Sequence, residues 1–185
     1  MDDRRFDRPV ARETADAVDG VDGRAQRYAG ALTPYAAVAL TIWGEARGEP
    51  IEGMIGVGHV IRNRLARYKR YHATEQSYRG IVLAPSQFSC WNPGTDPNHV
   101  KVLELARRVA ALEDLTDPAW VECAWVAIGI VEDRLRDRYG ATHYLTQARY
   151  RDDPPIWAPR LRWVADLGSH VFLVEPPAPA LTQEI

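Results

Sequence analysis

The stretch "TIWGEARGEP", residues 41–50, sets two carboxylates, Glu45 and Glu49, one helical turn apart, with Trp43 just ahead and Gly44, Gly48 and Pro50 among them. The residues before it are almost all apolar, so Glu45 is expected at the closing end of a buried helix. The C-terminal end of a helix carries partial negative charge, which disfavours a second negative charge beside it. An indole next to the carboxyl disfavours ionisation further, by desolvation. A glutamic acid in that setting is expected to keep its proton near neutral pH and to be able to give it to a leaving oxygen. Gly44 would leave a substrate room to approach. The same spacing also suits two solvated surface groups paired with Arg47 or Arg62, and spacing alone favours that blander arrangement.

The elements that must position these groups can be read from pattern. Thr33 is a good N-cap and Pro34 suits the first helical position, so "YAAVALTIW" is expected to form a short buried helix ending around Gly44. Pro50 opens a second helix, "PIEGMIGVGHVIRNRLARY", with Ile51, Met54, Ile55, Gly58, Ile61 and Leu65 on its inner face. Its glycines each cost about 1 kcal/mol of helix propensity, which implies another backbone packed closely on that face. Residues 70–98 read as turns and an irregular wall, rich in Pro, Ser, Asn and Gly. A third helix is expected over about 98–114, with Val100, Leu103, Ala106, Val109 and Ala110 inward. A fourth is expected over about 118–137, with Trp120, Ala124, Ala127, Ile128, Val131 and Leu135 inward and Trp125 also in the core. Then "ATHYLT" and "HVFLVE" read as short strands around the proline-rich turn "DDPPIWAP". The sum is an α+β chain: one mainly helical domain over 33–175 with a small C-terminal antiparallel β-element. Residues 1–32 read as a polar, flexible N-terminal arm, and residues 176–185 as a flexible tail.

The 185 residues suffice for one domain, and 46% hydrophobic with 26% charged residues is ordinary for a globular protein. A net charge of -2 offers no global basic field for nucleic acid. Residues 134–163 nevertheless hold seven arginines against three aspartates, a stretch suited to an anionic polymer or simply to a solvated face. No apolar run approaches the ~20 residues that span a bilayer, so no stable membrane insertion is expected. The charged N-terminus has no apolar signal core. A protein held in the cytoplasm and released by a separate membrane-permeabilising protein is expected, as for a phage or prophage lysis protein. Cys90 and Cys123 are the only cysteines and leave a disulfide or two buried thiols open. The five histidines show no HExxH or other tight ligand spacing, so neither a metal nor another cofactor is expected.

Four ordered blocks, "WGEARGEPIEGMIGVGHVIRNR", "PSQFSCWN", "GATHYLT" and "LGSHVF", resemble the catalytic domain of the spore-cortex-lytic SleB family of bacterial cell wall hydrolases. That family includes endolysin-like phage and prophage members, and the resemblance spans about residues 36–174. It implies a compact lysozyme-like domain that cuts the glycan strand of peptidoglycan; a monomer is the default expectation for an enzyme that works on an insoluble mesh. The resemblance also implies that the proton donor is the first glutamate of the "GEARGE" block, here Glu45, and that the reaction is that of a lytic transglycosylase. One carboxylate then suffices, because the nucleophile belongs to the substrate. A muramidase with a second carboxylate, an amidase and a non-catalytic peptidoglycan-binding module remain alternatives.

With a sugar polymer as substrate, Gln87 and Ser89 are candidates to hold acetamido or hydroxyl groups, and Trp43 and Trp91 to contact sugar. For Gln87, tying down the loop backbone is an equal reading; for Trp91, burial is nearly so. Strand alternation puts His143 and Tyr144 on opposite faces. Tyr144 is the choice for the cleft, with His143 supporting and Thr142 nearby. Glu49 is expected to support structure, through a salt bridge to Arg62 or Arg64 or a hydrogen bond to loop backbone. Some family members carry a histidine where this chain has Leu145, which removes one polar contact.

Overall fold

A computed structural model describes residues 32–94 and 96–176. The expected arm and tail lie outside these residues, apart from Leu32 and Pro176. The first helix, α1 (Pro34–Ala46), starts as its sequence requires: Thr33 is extended and its hydroxyl accepts a hydrogen bond from the Ala36 amide at 3.2 Å. Ala37, Val38, Leu40 and Ile42 are all fully buried, because α1 runs through the middle of the helical lobe. The helix does not stop at Gly44 but continues to Ala46. The break falls at Gly48, whose φ of 90° is the left-handed conformation glycine adopts most easily.

The second helix, α2 (Ile51–Leu65), turns back against α1. Met54, Val57, Val60 and Ile61 form its buried face, while Ile51, expected inward, is 42% exposed at the open first turn. Its glycines do make room: Gly53 lies against the Leu167 carbonyl of the sheet, while Gly56 and Gly58 make room for side chains. A Cβ on Gly56 would lie 2.6 Å from Phe172 Cζ, and one on Gly58 would lie 2.7 Å from Ile130 Cγ1.

The stretch expected to be irregular contains one turn of helix, α3 (Tyr78–Val82), which Ser77 caps by accepting from the Gly80 amide. It also holds 3₁₀ turns at Tyr68–Tyr71 and Ser89–Trp91. Helix α4 (His99–Ala110) buries Val102, Leu103, Leu105 and Ala106, whereas Val100 points outward at 72% exposure. Helix α5 (Pro118–Val131) buries Cys123, Val126, Ala127 and Ile130. Trp125 and Ile128 face outward, which corrects their core assignment, while Trp120 packs half-buried against the core. The helix ends six residues before 137. Asp133 takes a left-handed conformation, the Arg134 and Leu135 amides both donate to the Gly129 carbonyl, and Leu135 folds back over Gly129.

Three strands follow: β1 (His143–Thr146), β2 (Arg162–Leu167) and β3 (His170–Val174). They pair antiparallel in the order β1-β3-β2, so the last strand lies in the centre. Strand β2 and the short helix α6 (Gln147–Asp152) went unread in the sequence. Arg162 and Trp163 face solvent, and β2 has an irregular register between Trp163 and Ala165, which blunts its alternation. Phe172 and Ala165 join the sheet to the helical core, and Leu145, Val171 and Leu173 build a second small cluster on the other face. Several arginines of the 134–163 stretch form exposed pairs, such as Arg134 with Glu132 and Arg149 with Asp153. Among the described residues no helix is long and apolar enough to cross a membrane.

Candidate active site

A groove of about 700 Å³ runs between the end of α1, the 85–92 segment and the edge of the sheet. Glu45 lines it from the last turn of α1, half-buried. Gly44 decides what lies beside it. A Cβ there would meet Cys90 Cβ at 2.6 Å, so only glycine lets the Ser89–Trp91 turn settle directly on α1. Gly44 therefore faces the core, which corrects the expectation that it leaves a substrate room to approach.

That packing brings the Cys90 amide to Glu45 Oε1 at 2.9 Å, and the Ser89 hydroxyl lies 3.2 Å from the same oxygen. The Tyr144 hydroxyl donates to Oε2 at 3.0 Å from β1. Burial, and then the charge of Glu45, push the Tyr144 phenol well above its ordinary range, so it stays a neutral donor. Among the described residues no cation pairs with Glu45. Ser89 also donates to Asp96 Oδ2 at 2.6 Å, and Asp96 Oδ1 accepts from the Asn98 amide.

The other candidates separate into two groups. Gln87 and Ser89 line the groove with Tyr144, and so does His143. His143 does so despite the alternation of β1. Trp157, from the turn after α6, comes over that side, its ring centroid 5.2 Å from that of His143, and extends the groove around the strand. Trp43, Trp91 and Thr142 stand outside. Trp43 stacks under the Arg47 guanidinium, 4.0 Å from its ring centre, and lines a separate depression with Trp120. Trp91 is buried and donates its indole N–H to Thr41 Oγ1 at 2.9 Å. Thr142 is buried beneath His143, and its hydroxyl accepts from the Glu175 amide.

Glu49 has neither arginine as a partner, since Arg62 pairs with Asp133. It accepts from the Ser169 amide at 2.7 Å and from the Ser169 hydroxyl, tying the start of α2 to the β2–β3 turn. Burial alone would raise its pKa, but these bonds and the nearby His170 outweigh that and hold it below the ordinary carboxylate value. Leu145 lines the groove as an apolar contact.

Arg64 and His170 are among the groove residues that the sequence did not single out. Arg64 is buried; its Nε donates to the Thr142 carbonyl at 2.8 Å and its Nη1 to the Gln87 carbonyl at 3.1 Å. The rings of Tyr71 and Phe88 flank it, 5.1 and 5.0 Å away. His170 sits edge-on to Tyr144, with a buried Nδ1 that makes no hydrogen bond and lies 4.0 Å from Glu49 Oε1. "LGSHVF" pointed to its neighbourhood, but no local pattern distinguishes a groove histidine from a core one.

Among the described residues no group of three or more His, Cys, Asp or Glu is placed to hold a metal ion. Cys90 and Cys123 are free and buried; burial pushes the first well above the ordinary thiol range and the second up to about 12.

A pH dependence follows. Burial, helped by the Arg64 charge, pushes His143 down to about 4, and burial lowers His170 against the pull of Glu49 and Glu45. A group whose pKa falls on folding stabilises above its unfolded value and loses that contribution as pH drops. The melting temperature is therefore expected to fall from about pH 6.5 downward, with His143 titrating out near pH 4, and Glu49 to add its loss at lower pH. Thermal melts of wild type and His143→Phe between pH 7 and 4 check this. A wild-type curve no steeper than the variant's rules out the His143 contribution.

With this geometry in place, comparison with known proteins adds the following. No curated protein matches the chain. The catalytic domain of the germination-specific lytic transglycosylase SleB from Bacillus anthracis aligns at 18% identity over 76% of this chain and 93% of its own, with a TM-score of 0.48. A family model described as Cell Wall Hydrolase matches residues 48–173, a span that begins just past Glu45 and includes Gln87, Ser89, Tyr144 and His170. Since that match covers most of the chain, the protein belongs to the cell wall hydrolase family.

Proposed function

We propose that this cell wall hydrolase cuts the glycan strand of peptidoglycan between N-acetylmuramic acid and N-acetylglucosamine as a lytic transglycosylase, with Glu45 as general acid and then general base. One observation carries the reading. Glu45 is the groove carboxylate with no cationic partner among the described residues, and the Cys90 amide, Ser89 and Tyr144 converge on it. Glu175 also lines the groove but is neutralised by Arg67 and Arg70.

Ser89 adds a proton count. Its single hydroxyl hydrogen faces carboxylate oxygens of both Glu45 and Asp96. If Glu45 holds a proton, it can donate to Ser89 while Ser89 donates to Asp96, and every contact is satisfied. In the reaction Glu45 gives its proton to the glycosidic oxygen and the bond from that oxygen to the muramoyl C1 breaks. The muramoyl C6 hydroxyl then attacks C1, and the Glu45 carboxylate takes up the hydroxyl proton as the 1,6-anhydro ring closes. The donors around Glu45 stabilise the carboxylate present between these two transfers. An intramolecular nucleophile held in place reaches effective molarities of roughly 10⁵–10⁸ M, so no second carboxylate is required.

Asp96 favours the second reading, a hydrolase, because the Ser89 hydroxyl contacts both it and Glu45 and so keeps a second carboxylate near the first. Its oxygens are, however, committed to Ser89 and to the Asn98 amide, and it does not line the groove. Mass spectrometry of fragments from purified peptidoglycan separates the readings. Anhydromuropeptides support the transglycosylase, reducing muropeptides overturn it in favour of hydrolysis, and free stem peptides indicate an amidase. Tyr144→Phe removes one donor to a charged group, worth about 1.5–3 kcal/mol, and is expected to slow release roughly 10- to 100-fold. Unchanged turnover in that variant would remove Tyr144 from the machinery.

A further inference from the structure

A second cavity, of about 280 Å³, lies on the far side of Phe172 from the groove. Phe172 separates the two, its ring 5.8 Å from Tyr144 on one side and its edge packed over Gly56 on the other. Ile55, Leu135 and Leu167 form the apolar wall of the cavity.

His59 lines it from α2 and is 4% exposed, yet neither ring nitrogen has a hydrogen-bond partner. The Arg136 carbonyl is near enough to favour a proton on the ring but is not in bonding geometry with either nitrogen. Buried polar atoms are nearly always paired, so a histidine orphaned at both nitrogens and bordering a cavity is the mark of a site built for a polar guest. Asp137, the nearest acid, is already used by the Asn63 side chain and by the Tyr139 and Gly140 amides. Burial keeps the imidazole neutral, with one donor and one acceptor, which matches a peptide amide.

The lining also carries charges of both signs: Glu52 from α2, and Arg136 and Arg138 from the segment after α5, both exposed and without a carboxylate partner among the described residues. Charges of both signs around an apolar cavity suit a guest with a carboxylate, an amine and an aliphatic body.

We propose that the His59 cavity binds the carboxylate-bearing end of a short aliphatic peptide: the amide on His59, the carboxylate on Arg136 and Arg138, and the small side chains on Ile55, Leu135 and Leu167. Such a peptide end can be soluble or can be a branch of the wall polymer. The second source rests on the function proposed above; the site itself does not.

The full chain is titrated at constant pH with alanyl-alanine, with its C-terminal amide, and with a disaccharide carrying a peptide that ends in a free carboxylate, while the His59 ring signals are followed by NMR. A saturable shift is expected with alanyl-alanine, about tenfold weaker with the amide and in Arg136→Ala/Arg138→Ala, the equivalent of about 1.4 kcal/mol. Ile55→Trp fills the cavity and is expected to abolish the shift while anhydromuropeptide release continues, so the site and the glycan-cleaving reading fail separately. Binding of both dipeptide and sugar-linked peptide assigns the wall polymer, and binding of the dipeptide alone assigns soluble peptides. No shift with either ligand overturns the proposal, as does a shift that survives in Ile55→Trp.

Discussion

Glu45→Gln is expected to reduce glycan release from peptidoglycan by about 10²–10⁴-fold, the usual worth of a positioned general acid–base group, while leaving the fold intact. The amide is almost isosteric with the carboxyl. Its oxygen can still accept from the Cys90 amide, and its nitrogen can donate to the Tyr144 hydroxyl, which turns to accept. What it cannot do is give a proton to the glycosidic oxygen or take one from the attacking hydroxyl. Turnover and thermal melts of the same preparation make the test. A variant that melts like wild type but still releases fragments at the wild-type rate removes Glu45 from the chemistry. Glu45→Asp sharpens the result, because it keeps an acid but withdraws it from the Cys90 amide, Ser89 and Tyr144. A large loss there assigns the effect to position as well as to proton transfer.

The second large effect is expected at Arg64, which holds the groove together without reacting. Its guanidinium spans from α2 to the residue before β1 and to the 85–92 segment, so one side chain ties down the elements carrying Gln87, Ser89 and Tyr144. Arg64→Ala leaves the Thr142 and Gln87 carbonyls without this donor and opens a space between Tyr71 and Phe88. An unsatisfied buried acceptor costs about 1–3 kcal/mol, and loss of packing adds to it. A total of roughly 3–5 kcal/mol is expected, a large part of the 5–15 kcal/mol of a typical domain. Urea unfolding measures it, and a loss below about 1 kcal/mol would show that water or neighbouring groups replace the arginine. Arg64→Met restores the packing but not the hydrogen bonds, so it is expected to recover part of the stability and little of the activity.

The elements were legible in the chain to the extent that their signals were local. Thr33-Pro34 marked the start of α1, and the hairpin strand "HVFLV" stood out by its β-branched and aromatic residues. Boundaries set by tertiary contacts were misplaced. Helix α1 runs past Gly44 because Cys90 packs on that glycine, and α5 stops early because Leu135 folds back over Gly129. Outward Val100, Trp125 and Ile128 share the apolar character of their inward neighbours, and hydrophobicity alone does not say which side of a helix meets the core.

The site divides along the same line. Residue types suggested the chemistry a lone glutamate could perform, but their spacing alone favoured a solvated pair, and it took the resemblance of four ordered blocks to make Glu45, Ser89 and Tyr144 candidates. Residue types could not distinguish Trp43 and Trp91, which serve packing, from Trp157, which borders the groove, because an indole suits a buried contact and a sugar face equally well. Nor could they find the links from Arg64 to Thr142 or from Glu49 to Ser169, which join residues 78 and 120 positions apart. Acid chemistry is a property of a side chain and is carried in the chain itself. Which donors face that acid, and whether it is left without a cation, depend on segments that meet only when the helices and the sheet close on one another.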